Sequence, residues 1–167
     1  MIALRLVLAV SLFLIAGCSA SEEPVNVTGE FFAPEEEIEG ERSGETIPGI
    51  GLSIYRDRIY RGAQSGLSDD RVNGEMEHVA DMEFIVEGDR TTGYITATRV
   101  TIVNEGGTWV GTGDGTTTWT TGDTQHVHSL DYTLLGTGDY EGLRFIYHVE
   151  GIDYPWQVTG TIEPVGG

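Results

Sequence analysis

The chain has 167 residues, yet it contains one cysteine and no lysine. A single thiol makes no intrachain disulfide, so whatever folds must stand on its own core. The lack of lysine removes Schiff-base and pyridoxal chemistry. Nine arginines face 27 acidic residues, for a formal net charge of -18. That balance leaves no basic footprint for a phosphate backbone and argues against a nucleic-acid partner. No Gly-x-Ser-x-Gly elbow is present, so a serine-hydrolase nucleophile has no visible seat. Long apolar runs are also missing. Leu6–Ala16, eleven residues with one serine, falls short of the roughly 20 residues that a spanning helix needs.

That short run follows Arg5 and has the length of a signal-peptide h-region. It ends in Ile15-Ala16-Gly17-Cys18, an aliphatic residue, two small ones and the sole cysteine. The tetrapeptide resembles the processing site of bacterial lipoproteins. The resemblance implies cleavage before Cys18, a diacylglycerol on its thiol, and a further acyl chain such as palmitate. Each buried methylene contributes about 0.8 kcal/mol, and two chains anchor where one holds marginally. The expectation is a signal peptide over 1–17 and an exported protein held to a membrane through Cys18, on its periplasmic or cell-surface side.

Acid is concentrated just after this site. Ser19 to Pro48 holds nine glutamates, one arginine and three prolines, with few aliphatics. Such a segment buries too little apolar surface to offset its ordering entropy, so 18–48 reads as a flexible acidic tether.

From Gly49 to Gly167 the texture changes to Gly, Thr, Val, Ile, Tyr and Trp. Period-two alternation recurs. In Arg71–Phe84, the residues Val72, Gly74, Met76, His78, Ala80, Met82 and Phe84 share a face, which favours a strand kinked at Gly74. Further strands are expected over Leu52–Arg61, Thr92–Val103, Thr108–Trp119, Gln125–Leu135, Leu143–Glu150 and Tyr154–Glu163. Seven or eight short strands with Gly/Asp/Asn turns predict an all-β domain over 49–167, a single antiparallel β-barrel of about eight strands. The repeated Gly-Thr-Gly-Asp at 111–114 and 136–139 lacks the third glycine and the helix of a phosphate loop.

The stretches 68–75, 104–112, 136–145 and 158–164 are similar to a group of uncharacterised bacterial β-barrel proteins. Their Gly-x-Gly-x-Tyr-x-Gly corner, here Gly136 to Gly142, resembles that of the allene oxide cyclase and dirigent barrels. The resemblance implies an eight-stranded barrel with an apolar lumen. These are turn and glycine patterns, so no catalytic residue is carried over.

Sidedness then nominates interior residues. In Gln125–Leu135 the even positions are His126, His128, Leu130, Tyr132 and Leu134. If they face inward, His126 and His128 join His78 and Tyr132 inside, with Trp156 from the last strand. His148 falls on the opposite face, toward solvent. Two histidines at i and i+2 point the same way, as zinc or copper ligands do. The reading adopted is no metal and no cofactor, with His78, His126, His128, Tyr132 and Trp156 lining a site for a small apolar ligand. Non-catalytic binding is the leading expectation. A cyclase- or isomerase-like enzyme in the same lumen, and a surface interaction module with a packed lumen, are the alternatives.

Overall fold

A computed structural model describes residues 23–31, 36–39, 51–123, 125–152 and 155–166. The signal peptide expected over 1–17 and the lipid attachment at Cys18 lie outside the described residues. The described chain is all-β: nine strands in one antiparallel sheet, with no α-helix. They are β1 (Val25–Phe31), β2 (Glu36–Glu39), β3 (Leu52–Gln64), β4 (Gly74–Glu87), β5 (Arg90–Asn104), β6 (Gly107–Thr120), β7 (Val127–Gly138), β8 (Leu143–Ile152) and β9 (Trp156–Pro164). From β3 to β9 the sheet is a meander in which each strand pairs with the next. Two-residue turns such as 88–89 and 105–106 allow this, because antiparallel neighbours need no crossover.

Two expectations are corrected. The acidic stretch 18–48 is not a tether throughout: Val25–Phe31 pairs with β9 over its full length, and Glu36–Glu39 pairs with β3. The reason is local. Val27 is fully buried and alternates with exposed Asn26 and Thr28, a strand pattern that averaging over thirty acid-rich residues conceals. The strand expected over Arg71–Phe84 begins only at Gly74, behind a 3-10 turn at Asp70–Val72. Asp69 accepts from the Arg71 backbone N–H at 3.0 Å, and Asn73 exchanges two hydrogen bonds with the Leu67 backbone. These side chains offer the backbone an alternative to the ladder.

Bulges curl the sheet. In β3 the register slips between Tyr55 and Arg58, where Asp57 has φ +51° and its N–H donates to Asp81 Oδ1 at 3.0 Å. Slips between β4 and β5, where Thr98 is the extra residue opposite Val79/Ala80, and between β5 and β6 at Ala97/Val100 add further bends. The concave side becomes the core, in which Trp109, Phe145, Ile102, Leu134 and Ile162 are all buried. Polar pairs occupy the convex side. Glu77 bridges Arg61 at 2.8 Å and Arg99 at 2.7 Å, and His148 Nδ1 lies 2.8 Å from Asp131. Such exposed pairs contribute under about 1 kcal/mol each.

At the sheet's two margins, β1 and β2 carry no ladder to one another. The margin at β1 nevertheless meets the β3–β4 connection. Gly29 forms an isolated bridge with Leu67, Ser68 N–H donates to Thr28 O at 2.8 Å, and Thr28 N–H donates to Ser68 Oγ at 3.0 Å.

One end of the curled sheet is plugged. The turn at 70–72 folds beneath it, presenting buried Val72, while Gln64 Nε2 donates to Val72 O at 2.7 Å. Asn104 holds this floor. Its Nδ2 donates to Arg71 O and Asn73 O at 2.9 Å each, and its Oδ1 accepts from Tyr140 Oη at 2.6 Å and Gly106 N–H at 3.1 Å. Trp109 stacks on Tyr140 with ring centroids 5.1 Å apart and donates Nε1–H to Arg71 O at 2.6 Å.

Candidate functional site

Above the floor the core does not fill. A cavity of about 250 Å³ remains, lined from all seven strands β3 to β9 and by His126 just before β7. All five residues nominated from sequence lie on its wall: His78, His126, His128, Tyr132 and Trp156. Alternation explains the convergence. His128, Leu130 and Tyr132 take successive inward positions on β7, each facing β6 across the ladder at Thr117, Gly115 and Gly113. From Tyr132 up to His128 the wall rises about 13 Å, at roughly 3.3 Å per residue.

Small residues beside large rings keep the space open. A Cβ on Gly113 would run into the Tyr132 ring, and one on Gly93 would come within 2.6 Å of the Phe84 ring and 2.8 Å of Thr117. Each ring lies down over the glycine of the neighbouring strand instead of projecting across the middle. This is the use of glycine in a sheet where a neighbour approaches closely.

The upper wall is a ladder of rings. Phe84 meets Trp119 edge-on at 5.5 Å. Trp119 stacks on His126 at 4.6 Å with 8° between planes, His126 stacks on His128 at 6.2 Å, and His128 meets Trp156 at 4.2 Å. Deeper in, His78 lies between Tyr60 at 6.0 Å and Tyr132 at 5.8 Å, and Tyr132 stacks on Tyr147 at 4.8 Å. Of the three tryptophans, Trp119 and Trp156 reach the cavity while Trp109 belongs to the core.

Burial governs the electrostatics of the deeper wall. Burial lowers the His78 pKa to about 4, so its imidazole is neutral at pH 7. Burial raises Tyr60 despite the opposing pull of nearby Arg58, and it raises Tyr147 further, so both phenols keep their protons. The wall carries no carboxylate or guanidinium. Two buried polar atoms on it have no hydrogen-bond partner: His78 Nε2 and Thr117 Oγ1. Tyr60 Oη, by contrast, donates to Met82 Sδ at 3.6 Å.

Among the described residues, no group of three or more His, Cys, Asp or Glu is placed to hold a metal ion. His78 does not converge with the other two histidines: its ring contacts are Tyr60 and Tyr132, whereas His126 and His128 stack on each other. His148 lies outside, half-buried beside Asp131 and Glu150.

Sequence reasoning did not nominate Tyr60, Thr117, Trp119 or Tyr147 for the site. Trp119 and Tyr147 were within reach of the alternation used for His78. Tyr60 was not, because the bulge at Tyr55/Arg58 shifts the parity of β3. Comparison of the chain with protein-family models, curated proteins and solved structures finds no match in any of the three.

Proposed function

We propose that the chain is an exported, lipid-anchored protein that binds a small apolar ligand in the lumen of a β-barrel, without catalysis. The observation that carries this reading is the ring-walled cavity of about 250 Å³ in the middle of the sheet. A packed interaction module has no use for that space, since interiors fill to crystal-like density unless something else occupies them. For a cyclase or isomerase, the wall supplies no carboxylate to work with an imidazole as an acid–base pair. A His78 imidazole with a pKa of about 4 is a weak proton acceptor there.

Barrel closure is part of the proposal. β1 and β2 run in the same direction along the chain, one pairing with β9 and the other with β3, the two ends of the meander. A single N-terminal stretch serving both margins would join them into a ring, and the Gly29–Leu67 bridge supports this. The lumen of an eight-stranded barrel has room for one small ligand. The anchor rests on Ile15-Ala16-Gly17-Cys18.

Native mass spectrometry of the purified full chain tests the binding. The expected result is a retained small organic mass released by unfolding, or uptake of an added apolar compound with 1:1 stoichiometry. A chain that takes up none would sink the reading. For the anchor, labelled palmitate is expected to be incorporated by the natural chain and lost in Cys18→Ser, which leaves the membrane fraction. Equal labelling of the variant would refute attachment at Cys18.

A further inference from the structure

This inference rests on the binding reading and narrows the ligand. We infer that the cavity takes a flat, uncharged aromatic molecule of about ten non-hydrogen atoms. Its ring face lies against the edges of the imidazole–indole ladder, and one polar atom hydrogen-bonds to His78 Nε2.

Size comes first. A dry cavity of about 150 Å³ holds benzene, with six non-hydrogen atoms. Scaling to a cavity of about 250 Å³ gives roughly ten atoms, the size of two fused rings. A sterol or a long acyl chain does not fit.

Charge comes next. The lining itself holds no carboxylate or guanidinium, and the Arg58 guanidinium beside it is engaged by Tyr60, so an ion would enter at a desolvation cost of several kcal/mol. Anions meet the further opposition of a chain with net charge -18. Organic cations could be held by ring faces, but those faces are taken. His126 is covered by Trp119 on one side and His128 on the other, and His128 lies between His126 and Trp156. These histidines therefore turn their edges to the lumen. Ring edges carry the positive part of the quadrupole, which repels cations and attracts the π-face of another ring.

The polar atom follows from His78. Its Nε2 is buried in the wall without a partner, and a turn of the imidazole about its Cβ–Cγ bond brings it to the cavity. A buried nitrogen left unpaired costs about 1–3 kcal/mol, which a ligand that pairs with it recovers. Thr117 Oγ1, likewise buried and unpartnered, lies on β6 across the ladder from His128.

Isothermal titration calorimetry on the full chain with four probes tests this. Indole supplies an N–H donor, quinoline a ring-nitrogen acceptor, naphthalene neither, and dodecanoate is flexible and anionic. At least one of indole and quinoline is expected to bind about tenfold tighter than naphthalene, with dodecanoate weakest. His78→Phe keeps a ring of similar size. It is expected to erase the tenfold advantage, and an unchanged near-ultraviolet circular dichroism spectrum shows that the ring-walled core is still folded. Naphthalene equal to both heterocycles, or an advantage that persists in His78→Phe, overturns the role of His78 and leaves the binding reading standing. Dodecanoate binding tighter than the ring compounds overturns the ligand class alone. Failure of all four to bind overturns the binding reading itself.

Discussion

Replacing Asn104 by alanine is expected to loosen the floor of the molecule. The side chain sits where the β5–β6 hairpin turns, and it ties that hairpin to a segment more than thirty residues earlier. Four short hydrogen bonds are lost, two donated to Arg71 O and Asn73 O and two accepted from Gly106 N–H and Tyr140 Oη, along with a long one donated to Asp70 O at 3.5 Å. They are not equivalent. Arg71 O keeps the Trp109 Nε1–H donor at 2.6 Å, so its loss is partial. The Tyr140 hydroxyl, on a buried ring stacked against Trp109, loses the acceptor shown for it. At a net 0.5–1.5 kcal/mol per bond, the total is about 3 kcal/mol. Tyr140→Phe removes one of the four and is expected to cost about 1 kcal/mol. Urea unfolding at pH 7, followed by tryptophan fluorescence, measures both variants at unchanged m-value. A cost below about 1 kcal/mol for Asn104→Ala, or equal costs for the two, would refute the view that Asn104 holds the floor as a hub.

Gly29→Ala tests the meeting of the sheet margins. Its Cβ would lie 2.8 Å from Leu67 Cα and closer still to Gly66 O, both backbone atoms with little room to yield, so a loss of about 1–3 kcal/mol is expected. Unchanged stability would mean the Gly29–Leu67 bridge does not form. His78 gives a pH dependence with a definite sign. Its folded pKa of about 4 lies below the ordinary 6.5, so between those values the unfolded chain binds more protons. This contribution is complete above pH 6.5 and is lost as pH falls toward 4, by at most roughly 3 kcal/mol. Stability at pH 7 minus stability at pH 4.5 should therefore shrink in His78→Phe. The same difference in both proteins would show that the imidazole is not buried as described.

Much of this architecture is legible in the sequence, and the exceptions have physical causes. Between the bulges the alternation from Leu52 to Glu163 is clear because one face of each strand packs inward and the other meets water, and the expected strands match β3 to β9 to within a few residues. The same sidedness places His78, His126, His128 and Tyr132 together on the cavity wall, and His148 outside. What failed to show was tertiary. β2, with the sequence Glu-Glu-Ile-Glu, has no strand signal of its own and is ordered by pairing with β3. The role of Asn104 depends on a partner at Arg71, and nothing in a turn sequence announces a hydrogen bond at that separation. Nor does alternation distinguish a filled interior from a hollow one. The difference lies in glycines such as Gly113 on the strand beside a large ring, and strand register decides which residues are neighbours.

The early start of β1 bears on how the protein would stand in a cell. Val25 pairs with Ile162, at the end of the sheet that also carries the 105–106 and 139–142 turns, the blocked end. Only six residues separate it from Cys18, and the seven Cα-to-Cα steps make a leash of about 25 Å even when drawn out straight. An acylated chain would therefore sit near the lipid headgroups with its sealed base downward. Trp119 and His126 would be held at the far rim, so guests would arrive from the surrounding water and not from the bilayer.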